Sequence, residues 1–279
     1  MHAHPQPPPH FFSPPSPIPL DMDFCVCALD LLSALIEGLG QGIDELLSQS
    51  GSLVALVVEC LRDEEPSVRQ SAFAVVGDMA THCVQHLIPA LPNIMPLLLG
   101  ALQQPEEKDI CNNASWGIGM LAFSLPAEVM AGYLVGILEA MVPMIAMDRG
   151  NRALRENLAL SLGRIACVSP EMPASELHQY LKPLCRALRT ANEDEEKVHA
   201  FRGLCNMLRI NPEGMAELGG YAFVCYAFAS WKQPPDDLYQ EFGNILQTFT
   251  EWMGDRWPGF YAQFTPELQG FLGDKFNIK

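Results

Sequence analysis

Four stretches of the chain decide its fold: VRQSAFAVVGDMA (68–80), ICNNASWGIGMLA (110–122), LRENLALSLGRIA (154–166) and KVHAFRGLCNMLR (197–209). Aligned on the small residue near their ends (Gly77, Gly119, Gly163, then Asn206), they recur at spacings of 42, 44 and 43. Each begins polar and continues with apolar residues at i, i+3, i+4 and i+7, the stripe of an amphipathic helix. FCVCALDLLSALIEGLG (24–40) fits as an earlier copy, about 44 residues upstream. A period of about 40–47 residues with two helices per unit is the HEAT and armadillo range.

The segments between the copies supply the other helix of each unit: 43–63, 86–104, 129–148, 175–191 and 214–231. Several carry an interior proline: Pro89, Pro92 and Pro96, then Pro143, then Pro183. A proline inside a helix removes a hydrogen bond and crowds the preceding turn. The recurrence therefore predicts a kink at these prolines in successive first helices. Pro66, Pro105, Pro212 and Pro234–Pro235 fall where helices begin or turns lie. No alternating strand pattern interrupts the series. The fold expected is all-α, a right-handed solenoid of about five to six antiparallel HEAT pairs over residues 23–279. Residues 1–22, proline-rich and dotted with histidine, read as a disordered lead-in. An end unit without a neighbour would leave an apolar face uncovered.

Composition narrows the function. The 279 residues are 49% hydrophobic, enough for a large core, with a formal net charge of −16. That sign argues against contacts with a nucleic-acid backbone, which need a basic stripe. It favours basic partners, or it is simply a solvated acidic surface. Nine cysteines without a CxxC point to free thiols in a reducing compartment. The longest apolar runs, 87–102 and 130–147, carry prolines or a glutamate and read as core helices, with no membrane insertion expected. His82 and His86 share a helix face, but no third ligand stands beside them. Cys25 and Cys27 point in divergent directions on a helix. No nucleophile elbow, phosphate loop or dinucleotide motif occurs. The sequence offers no catalytic group, cofactor or metal site.

What remains is NNASWGIG. Asn112, Asn113 and Trp116 lie within about one turn, with Ser115, Gly117 and Gly119 around the indole. An aromatic with a donor N–H beside amides suits an extended peptide; equally, Trp116 belongs to the core. Asn157, one repeat on, needs a partner in an apolar helix and reads either as a peptide ligand or as a rung between neighbouring helices.

In order and spacing, FCVCALDLLSALIEGLG, PSVRQSAFAVVGDMA, CNNASWGIG, LRENLALSLGRIACVSPE, EEKVHAFRGLCNMLRINPEG and PPDDLYQEFGNILQTF resemble the C-terminal HEAT repeats of the transportin family, nuclear import receptors of the importin-β superfamily. The resemblance implies a shuttling receptor of cytoplasm and nucleus whose second helices line a groove for nuclear localisation signals of the PY type. By motif position Trp116 would pack apolar signal residues, Asn112 and Asn157 would hold its backbone, and Asp30 and Asp78 would meet its Lys and Arg. Nucleoporins are further expected partners. Ran binding is expected only of an N-terminal arch that this sequence does not contain, so the chain should hold part of a signal and escape Ran control. The competing expectation is a HEAT scaffold that organises an assembly without binding any signal.

Overall fold

The computed structural model describes residues 22–49, 51–147, 151–216 and 219–279. The first helix is α1 (Met22–Leu39). Five pairs follow. Helices α2 (Ile43–Gln49) and α3 (Leu53–Cys60) lead to α4 (Pro66–His82), and α5 (Leu91–Leu102) leads to α6 (Lys108–Ser124). Helices α7 (Ala127–Met130) and α8 (Leu134–Ala146) lead to α9 (Arg152–Val168), then α10 (Glu171–Ser175) and α11 (Leu177–Thr190) to α12 (Glu195–Ile210). Next, α13 (Glu213–Ala216) and α14 (Gly220–Ser230) lead to α15 (Asp236–Met253), and α16 (Trp257–Tyr261) and α17 (Pro266–Phe276) complete the series. Among the described residues there is no strand. The proline-rich residues 1–21 lie outside the described part, and Met22 already belongs to α1.

Local chemistry sets the helix starts. Pro66 opens α4, where its missing N–H costs nothing. The Asn151 and Asp194 side chains accept the N–H groups of Leu154 and Lys197 at 2.8 and 3.1 Å, capping α9 and α12. The acidic stretches ahead of α4, α6 and α12 also meet cations. Arg69 donates to the Asp63 and Glu64 carbonyls and pairs with Glu107 at 2.7 Å, tying one inter-helix turn to the next.

The first helices are interrupted at Pro89, within the 3-10 turn Ile88–Ala90, and otherwise upstream of the prolines singled out. Helices α5, α8 and α11 continue through Pro96, Pro143 and Pro183. The breaks lie upstream: at the 3-10 turns Val84–His86 and Ile88–Ala90, between α7 and α8, and between α10 and α11. A proline spoils only one bond and one turn behind it, and burial of residues such as Leu98, Met141 and Leu184 holds the helix around it. Val84–Leu102 is long and apolar enough to cross a membrane by length and composition alone. It is nevertheless broken by those turns, and Leu91, Ile94, Met95 and Leu98 are buried against neighbouring helices.

Buried side chains from every unit join one continuous core, as expected when each pair can cover its apolar face only with its neighbours. The second helices α1, α4, α6, α9, α12 and α15 form a row in which each packs on the next. Small residues let them approach closely. A Cβ built on Gly163 would lie 2.5 Å from the Ala200 Cα, and one on Gly119 would lie 2.5 Å from the Ser161 Oγ. The tightest crossing falls at Gly203, one turn before the Asn206 that the sequence alignment singled out: a Cβ there would lie 1.8 Å from the Gly163 carbonyl oxygen. At the first unit, Phe24, Leu31, Leu39 and Leu56 stand exposed.

Candidate functional site

The row of second helices carries polar side chains along one face. Nearest its start, Asp30 of α1 is exposed and accepts a hydrogen bond from the Ser71 hydroxyl of α4 at 2.8 Å. Further along, the Asn113 amide donates to the Gln70 carbonyl at 3.0 Å, and the Asn157 amide donates to the Asn112 carbonyl oxygen at 3.0 Å. The two amides singled out by sequence are thus bonded to each other between α6 and α9. Asn157 makes a rung between neighbouring helices. Both remain half-buried.

Trp116 is neither core nor free. Its six-membered ring lies on Gly77 of α4, so closely that a Cβ there would meet Cζ3 at 2.0 Å. The ring is half-buried. Its indole N–H donates to Glu196 Oε1 at 3.1 Å. That same oxygen accepts from Arg164 Nη2 at 2.6 Å. Glu196 belongs to α12 and Trp116 to α6, and they meet in front of α9. Contact between helices two units apart requires the row to curve toward this face, so the face is concave.

A cleft of about 380 Å³ opens there. Side chains from five second helices line it, among them Glu37 (α1), Asp78 and His82 (α4), Trp116 and Phe123 (α6), Arg164 (α9), and Glu195, Glu196 and His199 (α12). Phe123 stacks on the His199 imidazole with centroids 4.2 Å apart. Burial, with Arg164 beside it, lowers the His199 pKa and favours the neutral ring. The cleft brings Asp78 and Trp116 together; Asp30, Asn112 and Asn157 lie outside its lining, nearer the starts of their helices. His86 pairs with Asp44 at 3.0 Å, whereas His82 faces the cleft, so the two histidines have different surroundings.

Asp78 differs from an ordinary groove acid. It is only 5% exposed and accepts a hydrogen bond from Ser33 of α1. Burial pushes its carboxyl up to about 6; the Ser33 bond opposes that rise, Glu37 adds to it and His82 opposes it. Because the folded pKa lies above the ordinary 3.8, the folded chain holds a proton that the unfolded chain has released between about pH 4 and 6. Stability should therefore fall as pH rises through that window. Asp78→Asn should relieve the penalty, by up to about 3 kcal/mol above pH 6 and by little near pH 4. Urea unfolding of both proteins at pH 4.5 and 7.5 checks this; an equal difference at both pH values would exclude it.

Glu37, Phe123, Arg164, Glu196 and His199 were not singled out from the sequence. Arg164 carried a signal, a charged residue following Gly163 inside an apolar helix. Glu196 is one more acid in the first turn of a helix.

The fold and this concave face define a class, the HEAT and armadillo-type α-solenoids. The structure of Kap121p bound to Nup53p superposes with a TM-score of 0.58 at 15% identity, over 89% of this chain and 23% of that one, a likeness of fold alone. The family model for Importin subunit beta-1-like, TPR repeats, matches residues 21–208, and the chain belongs to the importin-β family. Transportin-1 of Homo sapiens is 40% identical over 259 residues, 92% of this chain and 28% of that protein. Transportin of Dictyostelium discoideum is 36% identical over 258 residues, 92% of this chain and 27% of its own length. The chain thus spans little more than a quarter of the relatives it matches. Those relatives are transport receptors, not enzymes, in keeping with a sequence that offered no catalytic group.

Proposed function

We propose that this chain provides part of the cargo-binding surface of a nuclear import receptor that shuttles between cytoplasm and nucleus. Its concave face takes a basic nuclear localisation signal of the PY type, and nucleoporins are its further partners. The observation that carries this reading is the indole of Trp116, seated on Gly77 and left half-exposed within a cleft that also holds Glu37, Asp78, Glu195 and Glu196. A rigid aromatic held against a glycine loses little freedom on binding and offers a large apolar contact. The acids around it attract Lys and Arg and disfavour anionic segments. At neutral pH the Asp78 carboxylate is ionised at a cost set by burial, and a ligand cation nearby would offset that cost. Asp30, exposed at the start of the row, and the half-buried Asn112 and Asn157 extend the surface for a longer segment, the acid toward cations and the amides toward its backbone.

Calorimetry with a capped basic peptide of the PY type tests this. Wild-type chain should bind, and Trp116→Ala should bind at least about tenfold more weakly, a loss of about 1.4 kcal/mol or more, as truncating a hot-spot aromatic gives. No heat with either protein would favour the scaffold reading instead.

A further inference from the structure

One side chain in the cleft has more hydrogen-bonding capacity than the chain uses. Arg164 is 2% exposed, and Nη2 meets Glu196. Its Nε and Nη1 are buried without an acceptor among the described residues. A guanidinium stays charged at any pH a protein meets. Leaving its buried donors unmet is costly, and proteins seldom do so without a reason. The one acceptor Arg164 has among the described residues is also committed to Trp116, since the same Glu196 oxygen takes the indole N–H.

A basic ligand would compete for that oxygen. As a Lys or Arg side chain approached Glu196, Arg164 would lose part of its only compensation, so a ligand that fits must bring an acceptor of its own. Glu37, Asp78, Glu195 and Glu196 line the same cleft. A carboxylate or phosphate would meet all four, whereas a main-chain carbonyl offers two lone pairs and no charge. We propose that Arg164 is the backbone-reading group of the cleft: it receives main-chain carbonyl oxygen from the segment whose basic side chain Glu196 holds. The cleft then selects an extended segment over a free cation, because the side chain and the carbonyl must arrive together. This inference rests on the peptide-binding reading above.

The test uses the full chain, labelled with nitrogen-15, and the same capped peptide. The Arg164 Nε–H resonance is assigned on wild-type protein, labelled also with carbon-13, by through-bond correlation along the Arg164 side chain, so no variant is required. Binding is measured separately by calorimetry. The resonance should move downfield in step with calorimetric saturation. Replacing single peptide amides by thioamides, which are weaker acceptors, should at one position weaken binding several-fold. Arg164→Gln, if it retains the wild-type circular dichroism spectrum, should bind about tenfold more weakly, as loss of a hydrogen bond to a charged group implies. Calorimetric binding with an unmoved resonance and a flat thioamide series would overturn the role of Arg164 while leaving the peptide site standing. A peptide that gives no heat at all would remove both.

Discussion

Gly203→Ala is expected to lower the thermal midpoint of the chain by about 4 °C or more. Alanine is the better helix former by about 1 kcal/mol, so in an isolated helix the change would stabilise. Here the new methyl would stand 1.8 Å from the Gly163 carbonyl oxygen, 2.7 Å from its carbon and 3.0 Å from the Cys167 nitrogen. All three are backbone atoms of α9, and no rotamer change can move them away. The helices must separate, which opens space along a crossing that also holds Gly163 against Ala200. Overpacking of this kind costs about 1–3 kcal/mol and more where the backbone must shift. A net loss of about 2 kcal/mol or more corresponds to the stated shift for a chain of this size. Gly270→Ala is the control: that glycine lies in α17 with open space around it, and the same substitution should raise stability by about 0.5–1 kcal/mol. Far-ultraviolet melting curves of both variants decide the matter, and a Gly203 variant as stable as wild type would refute the close crossing of α9 and α12.

Gly77→Ala should do the opposite kind of damage, large on binding and smaller on stability. A methyl at 77 would overlap the Trp116 ring, 2.0 Å from Cζ3, 2.3 Å from Cε3 and 2.8 Å from Cη2. Those atoms belong to a side chain that is half-exposed, so the indole can turn away toward solvent. In turning it gives up its seat and its bond to Glu196. Peptide affinity should fall about tenfold or more, matching Trp116→Ala although the tryptophan is still present. Calorimetry beside a melting curve separates the two effects. Unchanged affinity would mean that the position of the indole is irrelevant to the ligand.

The solenoid was legible because its signal is local and repeated. Apolar stripes in VRQSAFAVVGDMA and its copies report which face of each helix is buried, and the period reports the unit. The interruptions were legible only at Pro89, because a proline is a local sign, whereas the interruption of a first helix depends on how it packs. Helix α8 runs intact through Pro143 and breaks off instead at Ala131–Tyr133, between α7 and α8. Trp116 could be read two ways since a half-exposed indole on a glycine has the same sequence neighbourhood as a buried one. Arg164 and Glu196 stayed invisible as a pair: 32 residues separate them, and each alone fits an ordinary helix.

By itself, then, the order of residues determined the helices, their pairing into units of about 43 residues, and, at Gly119 and Gly163, small residues at which second helices meet. Periodicity along one chain encodes burial, and burial is what selects a helix face. Only the tertiary structure decided that an indole on α6 meets a carboxylate on α12 in front of α9, that Asp78 is sunk against Ser33 while Asp30 stays open, and that Arg164 keeps two donors unmet among the described residues. Those outcomes depend on how far the row of units curves, and that curvature accumulates from small rotations between neighbours that no single repeat contains.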